Sequence, residues 1–243
     1  MVLIPIFRQR IYPPDYLVGK YKIIKLIGEG RFGICYLVHI HDKEYVFKEI
    51  KPKIIKKYKN KVIFEQQILS DVHHPLIPKI IDIINRDNMY GYILEYKEGS
   101  TLEQMIFGDN HKFTSYQIYT IGIKLIEIIK YLHKKNIVHR DIRLPNVIIN
   151  EKNVYLIDFG LARPIDNKEY VCYEDFSYLG HLLIYLYYSS FKRTSRKSRP
   201  WYNELQLSLE ELNFLKKLLR LGGAYKNIFD IEKDFLKLKI TQL

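Results

Sequence analysis

Four groups of residues have types and spacing that could do chemistry. Gly28-Glu29-Gly30-Arg31-Phe32-Gly33 reads G-x-G-x-x-G, and glycine lets backbone N–H groups approach a phosphate without a clashing Cβ. The plainer reading is a glycine-rich hairpin, and a dinucleotide site is excluded because no helix follows. Lys48 sits in Val46-Phe47-Lys48, where alternation puts Val46 and Lys48 on one strand face and Phe47 on the other. A lysine beside an inward valine needs an anion; a snorkelling surface lysine is the alternative. Glu65 is the only acid between Ile50 and Ser70 and falls on an apolar helix face, where an unpaired carboxylate is expensive. Each supplies the other's missing partner, so an ion pair Lys48–Glu65 is expected. His139-Arg140-Asp141-Ile142-Arg143-Leu144-Pro145-Asn146 and Asp158-Phe159-Gly160 bring oxygen ligands at Asp141, Asn146 and Asp158. Such ligands suit hard Mg²⁺, which is held by one or two carboxylates plus substrate phosphates. Singly, His139 could be a core histidine and Asp158-Phe159-Gly160 a turn.

The elements that must carry these groups divide the chain. Strands are expected at Tyr21–Gly28, Gly33–Ile40 and Glu44–Ile50, with turns at the glycine-rich segment and at His41-Asp42-Lys43. A lysine-rich stretch leads to a helix from about Asn60 to Val72, with Val62, Glu65, Leu69 and Val72 on one face. Strands follow at Lys79–Asn85 and Met89–Leu94 around an Arg86-Asp87-Asn88 turn. Beyond Glu95–Gly99 the texture turns helical. Capping boxes stand at Ser100–Glu103, Thr114–Gln117 and Ser208–Glu211. The second opens a long helix with Ile118, Ile121, Leu125, Ile128 and Leu132 in one stripe, ended by Asn136. A hairpin is expected over Val147–Asn150 and Val154–Ile157. Further helices are expected at Asp175–Tyr188, Leu209–Leu221 (stopped by Gly222-Gly223) and Ile228–Leu238.

Composition bounds the class. The chain has 243 residues, 47% hydrophobic and 14% aromatic, enough for a core and too apolar for disorder. Net charge is +12, from 39 basic and 27 acidic residues; this suits a phosphate-bearing ligand, an acidic partner or nucleic acid without choosing among them. Two cysteines, Cys35 and Cys172, exclude a disulfide framework or zinc ribbon. The first ten residues lack signal-peptide features. The uncharged run Tyr178–Phe191 is shorter than the ~17–25 residues of a membrane span, so a cytoplasmic protein with no membrane partner is expected.

The ordered motifs together resemble the eukaryotic-like (Hanks-type) protein kinase family, and most of all short bacterial serine/threonine-protein kinases without a full activation segment. Glycine-rich loop, strand lysine, helix glutamate, H-R-D-x-x-x-x-N and D-F-G occur in family order, and the likeness covers about Tyr21 to Tyr188. The resemblance implies an α+β, bilobal fold: a mostly-β N-lobe (1–94) with one regulatory helix, a hinge (95–99) and a mostly-α, truncated C-lobe (100–243). It implies ATP as substrate, Mg²⁺ as cofactor and phosphate transfer to Ser/Thr hydroxyls. Gly28, Gly30 and Gly33 would cover the phosphates. Lys48 would hold the α/β-phosphates, kept in place by Glu65. Asp141 would orient the substrate hydroxyl, and Arg143 stands where Ser/Thr kinases usually carry a lysine on the γ-phosphate. Asn146 and Asp158 would bind the metal. Ile27, Cys35 and Val46 would roof the adenine, Ile148 would floor it, Leu94 would be the gatekeeper, and Glu95 and Lys97 lie in the linking segment. Cys35 and Val46 depart from the usual Val and Ala.

The larger departure lies beyond Asp158. Only seventeen positions separate it from Asp175, whose run Asp175-Phe176-Ser177-Tyr178-Leu179-Gly180 resembles the family's D-x-W-S-x-G. There is no A-P-E, and Leu161–Glu174 holds no Ser or Thr. Arg140, which in many kinases grips a phosphorylated loop, is therefore expected to be held without phosphate. Either a protein substrate docks elsewhere or the target is not a protein. The lysine-rich Lys51–Lys61 and the basic Lys192–Arg199 are read as solvated faces ahead of an RNA or acidic-partner site. The rival readings are a kinase-like ATPase or small-molecule kinase, and a nucleotide-binding pseudokinase scaffold.

Overall fold

The computed structural model describes residues 11–86, 89–151, 153–192, 197 and 199–238, without the side chains of 57–63. The Asp87-Asn88 turn, the first ten residues and most of Lys192–Arg199 lie outside them. Two compact units are present: one of residues 1–73 and 78–96, the other of 74–77 and 97–243. The α+β class is observed, with a β-rich unit first and a helical unit second.

The first unit is one antiparallel sheet in the order β1-β2-β3-β4-β6-β5. Its strands are β1 (Leu17–Val18), β2 (Tyr21–Glu29), β3 (Gly33–Ile40), β4 (Lys43–Ile50), β5 (Ile80–Arg86) and β6 (Met89–Glu95). Ile23, Ile34, Tyr36, Val38, Phe47 and Ile93 form its core, against which Tyr12 and Tyr16 pack. The sequence reading placed the inward face on the Val46 side; the packed core instead lies on the Phe47 side, and Val46 is only half-buried. Two aromatic rings from the segment before β1 cover that face, which alternation along β4 alone does not reveal.

Helix α1 runs over Pro52–Asp71, eight residues earlier than the expected start at Asn60. Pro52 occupies the first turn, where its missing N–H costs nothing and its fixed φ suits a helix. The lysines that follow are good helix formers.

The second unit is built on α2 (Ser115–Lys134), whose Thr114–Gln117 capping box is formed as expected. Ile118, Ile121, Leu125, Ile128 and Leu132 are all buried. Around it stand α3 (Tyr173–Ser189), the short α4 (Trp201–Glu204), α5 (Leu209–Leu218) and α6 (Ile228–Leu238). Gly122 on α2 faces the ring of Phe235 on α6, so closely that a Cβ there would collide with it. Helix α5 ends three residues early, where Arg220 turns to φ 59°. The Ser100–Glu103 box is displaced by one: Ser100–Thr101 pairs as strand β7 with β9, and Thr101 Oγ1 accepts from Gln104 N at 3.1 Å. Thr101 does both, since its N–H also donates to Gln104 Oε1 at 2.9 Å while the residue pairs with Ile148. A three-stranded sheet β10-β9-β7 (β9 Val147–Asn150, β10 Asn153–Leu156) and a pair β8 (Ile137–Val138) with β11 (Arg163–Pro164) complete the unit. Among the described residues no helix is long and apolar enough to cross a membrane.

Candidate active site

In the first unit the end of β4 is covered on both faces. Phe47 enters the core, while Lys48 meets Glu65 of α1, Nζ to Oε1 2.6 Å, with both side chains buried. Lys48 pairs in register with Cys35 on β3 and Tyr92 on β6, and Val46 with Leu37 and Leu94. Directly opposed residues of antiparallel strands share a face. The half-buried Cys35, Val46 and Leu94 therefore surround Lys48 on one side of the sheet.

Breaking a buried pair by deleting one partner strands the other's charge, at a cost of roughly 3–5 kcal/mol. Lys48→Met is expected to lower the melting temperature through the orphaned Glu65, and Lys48→Met/Glu65→Leu to recover most of it. Equal melting of the single and double variants would contradict this.

The glycine-rich segment is the β2–β3 hairpin, closed by Gly30 N donating to Gly33 O at 2.9 Å. A Cβ at Gly33 would strike the carbonyl oxygen of Glu49, so strand packing requires that glycine. A Cβ at Gly28 or Gly30 would meet nothing within 4 Å. Nothing in the unit's own packing demands glycine at those two, which leaves their surface open to close approach. Ile27 beside them is 44% exposed.

In the second unit Asp141 and Asn146 lie on the loop between β8 and β9, and Asp158 follows β10. Asp141 is buried and held by three donors. Arg143 donates from Nε to Oδ1 and from Nη2 to Oδ2 (3.0 Å), and Asn146 Nδ2 donates to Oδ2 at 2.8 Å. The bond to Asp141 pushes the Arg143 guanidinium above its ordinary value. Asn146 Nδ2 also donates to the Asp141 carbonyl at 2.9 Å. With its nitrogen committed twice, Asn146 keeps its carbonyl oxygen for a further partner. Ile157 N donates to the Asn146 backbone carbonyl at 2.9 Å, which ties the residue before Asp158 to the same loop. Asp158 has φ 61°, and its Oδ1 accepts from Gly160 N at 3.2 Å. Asn146 and Asp158 thus offer the hard oxygen donors that Mg²⁺ takes. Among the described residues no three His, Cys, Asp or Glu side chains form a self-sufficient metal site.

The geometry rests on Asp175, fully buried at the start of α3. Its Oδ2 accepts from His139 N (3.0 Å) and faces His133 Nε2 (2.9 Å), while Oδ1 accepts from Arg140 N (2.7 Å). These bonds hold Arg140 at φ 66°, a conformation that residues with a Cβ avoid without support. His139 is buried against the Phe159 ring, and burial pushes its imidazole below the ordinary value, toward the neutral form. Its Nδ1 accepts from Asp141 N at 3.3 Å.

Sequence reasoning missed Glu174. Arg140 Nε donates to Glu174 Oε2 at 2.9 Å, and the guanidinium lies 4.6 Å from the centre of the Tyr170 ring. The adjacent acidic pair Glu174-Asp175 was the available signal, but only folding shows that one carboxylate takes the arginine side chain and the other the loop backbone. Lys97 donates to Pro75 O at 3.2 Å, and Ile148 is half-buried on β9 opposite Thr101. Glu95 Oε2 accepts from Lys79 N at 3.3 Å in the first unit.

A model of the protein kinase domain family matches residues 21–181. The chain is 37% identical over 224 residues to "probable serine/threonine-protein kinase YbdM" of Bacillus subtilis (strain 168), covering 88% of this chain and 88% of that one. It is 29% identical over 166 residues to serine/threonine-protein kinase nekl-2 of Caenorhabditis elegans (62% and 46% covered). Against serine/threonine-protein kinase PrkC of Bacillus subtilis (strain 168) identity is 30% over 158 residues, 61% and 24% covered. The alignments thus span less than half the length of the latter two relatives.

Proposed function

The chain belongs to the protein kinase family, and from that premise we propose that it transfers the γ-phosphoryl group of ATP, with Mg²⁺, to Ser or Thr hydroxyls of a protein. The observation that carries this reading is Asp141, buried and gripped by Arg143 and Asn146 on one loop. Phosphoryl transfer asks a protein for positioning and charge neutralisation rather than covalent chemistry.

In this reading the backbone at Gly28, Gly30 and Gly33 lies along the phosphates. Lys48, aimed by Glu65, holds the α/β-phosphates. Asn146 and Asp158 hold the metal, whose chemistry when bound is neutralisation of charge on the phosphates. Ile27, Cys35, Val46, Leu94 and Ile148 line the adenine, and the 95–97 backbone pairs with it. The acceptor hydroxyl oxygen bonds to γ-phosphorus as the bond from γ-phosphorus to the β,γ-bridging oxygen breaks and ADP leaves with that oxygen, and the hydroxyl proton passes to the Asp141 carboxylate. Arg143, beside that carboxylate, meets the transferred oxygens. The names of the relatives support the Ser/Thr acceptor.

The test is purified protein with labelled ATP and Mg²⁺, beside Asp141→Ala and Lys48→Ala. Label on protein that vanishes in both variants is the expected result. Free phosphate alone would replace the reading with an ATPase. Absence of turnover, with nucleotide still raising the melting temperature, would replace it with a scaffold.

The Arg140–Glu174 pair supports a kinase whose loop needs no phosphate. Phosphatase-treated protein is expected to keep its activity. A required phosphate found by mass spectrometry in 161–174, where Tyr170 and Tyr173 are the only hydroxyl side chains, would overturn this.

A further inference from the structure

The glycine-rich hairpin has a second anchor besides its own strand pairing. From Lys25 to Arg31 every residue is exposed, so the hairpin's outer half has little packing to hold it. Its tip is fixed from one residue. Lys51 N donates to Phe32 O at 3.0 Å, and Lys51 Nζ donates to Glu29 Oε1 at 2.6 Å. The first contact continues the β3–β4 ladder: Gly33 pairs with Ile50, and Phe32 and Lys51 are the next residues in register. Pro52 disfavours the helical region for the residue before it, and Lys51 is extended, at φ −60° and ψ 131°.

Charge explains the second contact. Lys51 sits at the N-cap of α1, makes no side-chain cap bond, and no acid occupies the first turn. A cation at a helix N-terminus opposes the helix dipole, and Glu29 supplies the missing negative charge. Conversely, Glu29 lies between Gly28 and Gly30, where a carboxylate would repel a polyphosphate. An ammonium at 2.6 Å cancels that repulsion. Both side chains are partly exposed, at 23% and 48%, so the pair adds little to stability. Its consequence lies in where the hairpin sits and what charge it shows.

We propose that Lys51 is a positioning residue for the nucleotide. Its N–H and ammonium hold the hairpin tip to the start of the helix that carries Glu65, and its charge masks Glu29. The proposal rests on the reading above that this hairpin covers ATP phosphates.

Three variants of the full chain test it: Lys51→Met, Glu29→Gln and the double. Hydrogen exchange of residues 26–34 is measured without nucleotide, and kcat and KM for ATP with it. Lys51→Met is expected to speed hairpin exchange about threefold or more. It is expected to raise KM for ATP about fivefold with less than about a twofold change in kcat, and the rise shrinks at high salt. Adding Glu29→Gln removes the unmasked carboxylate, and KM is expected to return to within about twofold of wild type. A merely structural lysine would not give that rescue. Unchanged exchange in Lys51→Met overturns the ammonium's part in the tether, and a double variant no better than Lys51→Met overturns the masking. Wild-type protein that binds no ATP would instead sink the functional reading, with the exchange result still deciding the tether.

Discussion

Asp141→Asn is expected to lower kcat roughly 10²–10⁴-fold, the range a positioned acid or base contributes, while KM for ATP moves only a few-fold. The replacement has the same shape but loses the charge, and one of its two positions becomes an NH₂. Asp141 is answered entirely by donors: Arg143 at both oxygens and Asn146 at Oδ2. An NH₂ at either position would face one of these donors, so the loop loses its orienting bonds together with the proposed proton acceptor. The nucleotide contacts assigned to Lys48 and Asp158 are untouched, which is why binding and turnover should separate. Steady-state kinetics with ATP and a protein acceptor check this. An Asn variant within about fivefold of wild-type kcat would remove Asp141 from the reaction.

Asp175→Asn is expected to cost roughly 2–4 kcal/mol of stability, because a buried acceptor facing three donors is replaced by one acceptor and one donor. In a chain of this size that lowers Tm by about 5–15 °C. The carboxylate accepts from His139 N and Arg140 N and faces His133 Nε2, with no exposure to water. The same change releases Arg140 from φ 66°, and Asp141 is the next residue. A loss of kcat should therefore accompany the loss of Tm, although Asp175 touches no substrate. Calorimetry and kinetics on the one variant test both. Melting within about 2 °C of wild type, with full kcat, would show that the loop is held by something else.

These two residues also show how far the sequence reaches. Asp141 and Asn146 are five positions apart, and a single loop suffices to bring them together. Lys48 and Glu65 are separated by seventeen positions, yet chemistry pairs them: each is a charge on an apolar face, and Glu65 is the only acid between Ile50 and Ser70. The Thr114–Gln117 cap and the buried stripe of α2 were equally legible, since both are local patterns of one helix. Where local rules compete, the sequence misled. Ser100 and Thr101 both offer a cap; in the fold the two pair with β9, far along the chain, and the cap forms at Thr101 rather than Ser100.

What the sequence determined alone was the inventory of charged and glycine residues, their order, and the helices and strands that could hold them. Those follow from spacing along a chain of known periodicity. The tertiary structure alone decided that Phe47 rather than Val46 faces the core, that Glu174 answers Arg140, and that Lys51 reaches back to Glu29. Each of those depends on a partner more than twenty positions away. Its proximity is a property of packing, and burial or an ion pair exists only once both groups have left water for the same place.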